Sequence, residues 1–183
     1  VKHLPGHGRA LVDSHHELPT VDASRQTLSE TDFAAFKPLA DAALGMTAHV
    51  VYEAVDPEQA ATLSAAVVED VIRGEIGFDG LLMTDDVGMR ALSGSEPDKA
   101  RGSLAAGCDV VLHCSGEMTG MIAAGPGLAP LSAEGRRRSE RALAVRAAGA
   151  GNRIDVAAVE ARLTELTGWR AEGPTAPIFG SAT

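Results

Sequence analysis

Short apolar runs that end in ionisable side chains recur along this chain, and a stretch of helical spacing separates each from the next. Val1-Lys2-His3-Leu4 reads as the end of a strand running into a glycine-rich loop, and Met46–Val51, Gly80–Thr84 and Asp109–His113 are the later runs. Between them, Ser29-Glu30-Thr31-Asp32 reads as a helix start, with Phe33, Phe36, Ala40 and Ala43 following at helical spacing. Ser64 caps a stripe of Val67, Val68, Val71 and Ile72 that ends near Gly74 or Gly77. Pro97 sits in the first turn of a helix that runs to Gly107. Such alternation leaves few options: right-handed crossovers between neighbouring strands give a parallel sheet and an α/β fold, open or closed into a barrel. Gly80–Thr84 is apolar without interruption, as a strand covered on both faces would be. Beyond Leu131 the pattern is helical only, with helices expected over 132–148 and 155–166, and residues 173–183 read as a flexible tail.

Composition narrows the function classes. No apolar run approaches the ~20 residues that cross a bilayer. The net charge of −9 argues against a nucleic-acid backbone as the main partner. Two cysteines, Cys108 and Cys114, make no disulfide scaffold and are expected to be buried small hydrophobes. With no leader visible, the expected location is the cytoplasm. The chain opens on Val rather than Met, so a partial chain is expected.

The ionisable residues sit where a parallel fold puts its ligands. Lys2 and His3 end the first run, His49 the second, Asp85 and Asp86 the third and His113 the fourth. Loops converge beyond the carboxyl ends of parallel strands, so a site on that face is expected. An Asp after a strand is often a turn or helix cap, and Asp86 suits that role; Asp85 would then point into the site as a carboxylate nucleophile. Asp13-Ser14-His15 is either a solvated loop or a dyad whose carboxylate orients an imidazole for acid and base work. Lys2 and His3 are either a buried salt-bridge pair or hydrogen-bond donors to substrate. His3, His7, His15, His16 and Asp13 allow a zinc hydrolase as a further reading, though their spacing fits no compact metal motif. His49 and His113 read as packed side chains.

At these same residues the chain resembles a known family. Lys2-His3-Leu4-Pro5-Gly6-His7-Gly8, Asp13-Ser14-His15, Glu17-Leu18-Pro19, Met46-Thr47-Ala48-His49-Val50, the run Gly77–Asp86 and Ala105-Ala106-Gly107-Cys108-Asp109 are similar, in order, to the bacterial β-N-acetylglucosaminidases of glycoside hydrolase family 3. The resemblance runs from Val1 to about Ala148 and implies a (β/α)8 barrel of TIM type. This chain would hold the second half, strands five to eight, over residues 1–148, with a helical segment over 149–172 behind it. The family's first four strands are absent, and Leu4 stands where Phe is more usual. The resemblance further implies hydrolysis of terminal β-linked N-acetylglucosamine, notably from muropeptides in peptidoglycan recycling, with no metal or organic cofactor. By motif position, Asp85 would be the nucleophile, His15 with Asp13 the acid/base dyad, and Lys2 and His3 the groups that bind sugar hydroxyls. A non-catalytic sugar-binding fragment is the other reading that the motifs allow.

Overall fold

The computed structural model describes residues 1–126, 128–149 and 155–168, and the expected tail over 173–183 lies outside them. Residues Val1–Arg146 form one compact unit and Ala147–Thr183 a second.

The first unit is built on parallel segments laid side by side in chain order. Val1–Leu4 runs beside β2 (Leu44–Met46), joined by the Leu4 amide to the Met46 carbonyl at 2.8 Å and the Ala48 amide to the Leu4 carbonyl at 2.7 Å. Strand β2 pairs in parallel with β5 (Leu81–Asp86), and β5 with β6 (Val110–Leu112). This is the expected α/β arrangement. A helix of π-type winding, Ala66–Glu75, buries Val67, Val68, Val71 and Ile72, and the Ser64 hydroxyl accepts from the Val67 amide at 3.2 Å, as the stripe and its cap predict. Helix α2 (Glu96–Ala105) carries Pro97 in its first turn, with Ser95 capping the Asp98 amide. Further along the chain come α3 (Met118–Ala124), α4 (Ala133–Gly149) and α5 (Val156–Thr167), the last capped by Asp155.

Several expectations shift. The helix expected to start at Ser29 starts earlier: Ser24 accepts from the Thr27 amide and caps α1 (Arg25–Glu30). Phe33 and Phe36 belong instead to a 3₁₀ segment around Ala34–Leu39, where Pro38 supplies no amide for an α-helical bond. The run Met46–Val51 is not one strand. Its end turns into β3 (Val51–Tyr52), which joins β1 (Thr20–Val21) and β4 (Asp56–Ala60) in a second, small sheet. Cys108 is buried as expected, but Cys114 is exposed, because it lies past the end of β6 in the loop that meets Asp86.

The core is the layer between the parallel sheet and its helices. Leu4, Leu82 and Ala48 meet Val67, Val71, Ile72 and Phe78 there, all essentially inaccessible. Gly45 and Gly80 lie on this layer because a Cβ at either would run into the Phe78 ring. The opposite sheet face is less covered. Val1, Lys2, Leu44, Gly45, Met46 and Met83 line an open cavity of about 250 Å³ along it.

The two ends of the sheet differ in chemistry. Before β5 and β6, Asp79 and Asp109 receive arginines: Arg137, Arg138 and Arg141 reach Asp79, while Arg73 and Arg138 reach Asp109 at 2.8 and 3.0 Å. Asp109 also accepts the Leu82 amide at 2.9 Å. These hydrogen bonds hold the Asp79 carboxyl well below the usual carboxylate range. They fasten the start of α4 to the end of the sheet away from Asp85, where side chains serve stability rather than chemistry.

Candidate active site

Asp85 is the fifth residue of β5, and its side chain alternates with the inaccessible Leu82 and Thr84, which face the helices. Its carboxylate is 15% exposed, with Oδ1 accepting the Asp86 amide at 2.9 Å and Oδ2 3.4 Å from His3 Nε2. Asp86 takes the turn-capping role. Its Oδ1 accepts from the Gly88 and Cys114 amides, both at 2.9 Å, and so ties the loops after β5 and β6 together. Burial pulls the His3 imidazole below its ordinary pKa, and the Asp85 carboxylate opposes that pull. His3 is thus partnered by Asp85 rather than by Lys2. Lys2 is exposed and makes no hydrogen bond or ion pair among the described residues.

His49 is packed, as expected, and has a job that the sequence did not disclose. Its Nε2 donates to the Asp86 carbonyl at 3.0 Å, and Nδ1 lies 2.8 Å from the Thr62 hydroxyl, which in turn meets Thr47 at 2.8 Å. Burial holds this imidazole below its ordinary pKa and so favours its neutral form, and the Asp86 carbonyl, which can only accept, requires a proton on Nε2. It therefore fixes the backbone directly after the candidate nucleophile. His113 pairs with Glu96 at 3.1 Å, with its side chain mostly buried.

A pH dependence follows. His49 and His3 both hold their protons less tightly folded than unfolded, so the unfolded chain binds more protons once the pH falls below about 6.5. Stability should therefore be full above that value and decline on acidification, with a slope of up to ~1.4 kcal/mol per pH unit for each group. The depressed carboxylates Asp79 and Glu75 act in the same direction but in a lower window, losing their contribution only as the pH falls below the ordinary carboxylate range. Urea midpoints at pH 7.5 and 5.5 should differ, and His49→Gln should narrow the gap. An equal midpoint at both values would contradict the neutral His49.

Asp13 and His15 are joined as a dyad. Asp13 Oδ1 accepts the His15 amide at 2.9 Å and stands 2.7 Å from the ring Nδ1. These bonds hold the Asp13 carboxyl below the usual carboxylate range, so it stays anionic at neutral pH. Both side chains are open to solvent, 60% and 70% exposed. Among the described residues no hydrogen bond or ion pair links the dyad to Asp85. Between them runs a series of contacts: His3 beside Asp85, His7 edge-on to His3 with ring centroids 5.7 Å apart, and His7 Nε2 3.1 Å from the Ser14 hydroxyl. The loop is also anchored at its base. The Tyr52 hydroxyl donates to the Gly6 carbonyl, and Arg9 donates to Asp32 at 2.7 Å and to Thr31 at 3.1 Å. Gly6 has φ +148°, and a Cβ there would crowd Asp32, so the turn needs glycine. The anchoring roles of Tyr52, Arg9 and Asp32 went unread in the sequence because the three lie on separate elements with no shared period, and Asp32 was read only as part of a helix start.

Among the described residues no group of three or more His, Cys, Asp or Glu side chains is placed to hold a metal ion. No described helix is long and apolar enough to cross a membrane. The arrangement offers a carboxylate for attack with His3 beside it, and an imidazole with an anionic partner for proton transfer.

Known proteins resemble this chain in sequence and in fold. The chain is 45% identical over 118 residues to a beta-hexosaminidase of Alkalilimnicola ehrlichii, covering 62% of this chain and 34% of that protein. A beta-hexosaminidase of Xylella fastidiosa is 38% identical over 155 residues, covering 82% and 44% respectively. Among solved structures, NagZ from Neisseria gonorrhoeae in complex with N-trifluoroacetyl-D-glucosamine superposes with a TM-score of 0.71 at 31% identity, over 90% of this chain and 49% of that one. The chain spans about a third to under a half of the length of these curated relatives. Residues 1–130 match the glycosyl hydrolase family 3 N-terminal domain, and the chain belongs to that family.

Proposed function

We propose that the chain is the second half of a (β/α)8 barrel in a retaining β-N-acetylhexosaminidase, holding the nucleophile and the acid/base dyad. The observation that carries this is Asp85 at the carboxyl end of β5, set beside a loop whose Asp13 holds the His15 ring at 2.7 Å. The names of its relatives, beta-hexosaminidases, agree with it. The segments Val1–Leu4, β2, β5 and β6 would be strands five to eight. The apolar side chains Leu44 and Met83, open to the cavity on the inner face, would meet the first four strands in the closed barrel.

In the first step Asp85 Oδ attacks the anomeric carbon of a terminal β-linked N-acetylglucosamine. The bond to the leaving oxygen breaks as His15 delivers its proton there. A glycosyl ester on Asp85 and a neutral imidazole result. Water then attacks the anomeric carbon, gives its proton to His15 and frees Asp85. Asp13 stays anionic throughout, orienting the ring and stabilising its cationic form. Lys2 and His3 bind sugar hydroxyls. No metal or organic cofactor takes part. Muropeptides released in peptidoglycan recycling are the proposed substrates, and the cytoplasm the proposed location.

The exposure of the dyad favours a second reading for the chain by itself, a sugar-binding fragment without turnover. Assays of an aryl N-acetyl-β-D-glucosaminide on this 183-residue chain, and on the chain preceded by the missing half, separate the two. We expect turnover from the completed barrel, and association or marginal stability without turnover from the chain alone. A monomeric, cooperatively folded and fully active 183-residue chain would overturn the half-barrel assignment.

A further inference from the structure

We infer that His7 and Ser14 form a latch that holds the dyad loop beside the candidate nucleophile, which makes His7 a positioning residue; the inference rests on the function proposed above. The loop between Gly6 and Pro19 makes only local backbone bonds inside itself: Ala10 to the His7 carbonyl, and His16 and Glu17 to that of Asp13. It is fixed at its two ends, by Tyr52 at Gly6 and by the Val51 amide at the Pro19 carbonyl, 2.9 Å away, and near its start by Arg9, which donates to Asp32 and Thr31. From Ala10 to Leu18 every residue is exposed or half-buried except Ser14. That one buried residue stands between Asp13 and His15, the two groups the chemistry needs in solvent reach.

The burial of Ser14 has a direct cause in the structure. Its hydroxyl meets His7 Nε2 at 3.1 Å, the His7 ring sits edge-on to His3 at an interplanar angle of 61°, and His3 meets Asp85. The bond does not touch the His15 ring, so it sets where the ring stands and not its chemistry. The stretch from Ala10 to Leu18, beyond the Arg9 anchor, has few other contacts among the described residues and lies at the low-stability end of the molecule, where opening is frequent. One hydrogen bond of this kind changes the closed population about 5- to 10-fold. The latch would thus govern how often His15 is presented to a leaving oxygen above Asp85.

The test has two arms. On the 183-residue chain itself, amide hydrogen exchange across residues 10–18 should speed up about 5- to 10-fold in Ser14→Ala and in His7→Ala. Exchange at core amides such as Val71 and Leu82 should stay unchanged. His7→Gln, whose side-chain amide can still bond the Ser14 hydroxyl, should restore protection. This arm needs no activity, so it stands even if the glycosidase assignment fails. In the completed barrel, Ser14→Ala should lower kcat/KM about 5- to 10-fold for substrates with poor leaving groups and less for activated aryl substrates, with His7→Gln near wild type. Unchanged loop exchange in both alanine variants would overturn the latch. Faster loop exchange without any leaving-group dependence would overturn its link to proton transfer. If Ser14→Ala loosens the core amides too, the His7→Ala and His7→Gln pair decides.

Discussion

Asp85→Ala in the completed barrel should lower turnover of an aryl N-acetyl-β-D-glucosaminide by at least about 10³-fold while leaving the fold intact, since it removes the group proposed to form the covalent bond. The fold should survive because the Asp85 carboxylate carries little of it. Its one hydrogen bond among the described residues is to the neighbouring Asp86 amide, and β5 is held to β6 by their backbone pairing and by Thr84, whose hydroxyl accepts the Leu112 amide at 2.9 Å. Alanine leaves a small space on the attacking face, and azide entering it should restore part of the rate as a glycosyl azide forms. Asp86→Ala should behave differently. It frees the Gly88 and Cys114 amides, so it should loosen both loops and lower stability, with no response to azide. Near-normal turnover in Asp85→Ala together with abolished turnover in Asp86→Ala would reverse the assignment.

The second large effect belongs to His15. His15→Ala should cost about 10²- to 10⁴-fold with substrates whose leaving groups need protonation, and less in the glycosylation step with activated aryl substrates. The reason is geometric as well as chemical: Asp13 holds the ring through both the Nδ1 contact and the backbone amide, which leaves the far edge of the ring free for the leaving oxygen. Asp13 carries its charge well into the acid range, so its own protonation should not shape the profile near neutrality. Rates across a series of leaving groups check the assignment. An equal loss for every leaving group would remove His15 from acid/base work, and His16, exposed in the same loop, would be the next candidate.

How much of this could be read from the residues depends on how local each signal was. Leu81 to Thr84 announced a strand, although the face that carries Met83 is only half-covered, and Asp86 caps the turn after it as a strand end requires. Val67, Val68, Val71 and Ile72 with Ser64 announced a helix, and Pro97 another, because cap and stripe fall within a few residues. The small second sheet was not legible: β4 carries Pro57, Glu58 and Gln59, which are poor strand formers, and it exists only because β3 lies beside it. The start near Ser29 misled because Thr31 and Asp32, which looked like a cap, instead bind Arg9 from the loop. At the site, catalytic roles belong to the proposal, while the place of Asp85 at a strand end and the pairing of Asp13 with His15 were legible. His49 as the brace for Asp86, and His7 with Ser14, were not, since each bond joins residues that share no period. Cys114 was misplaced for a related reason: β6 ends at Leu112, so the residue after His113 already belongs to the loop.

The most direct measurement is to trap the covalent intermediate in the completed barrel. A fluorinated N-acetylglucosaminyl fluoride, whose good leaving group speeds the first step while the ring fluorine slows the second, should accumulate as a glycosyl-enzyme. The intact mass should rise by one glycosyl residue, fragmentation should place it on Asp85, and the product released from an ordinary substrate should keep the β configuration. A label on Asp86 or any other residue, or release with inverted configuration and no label, would contradict the account.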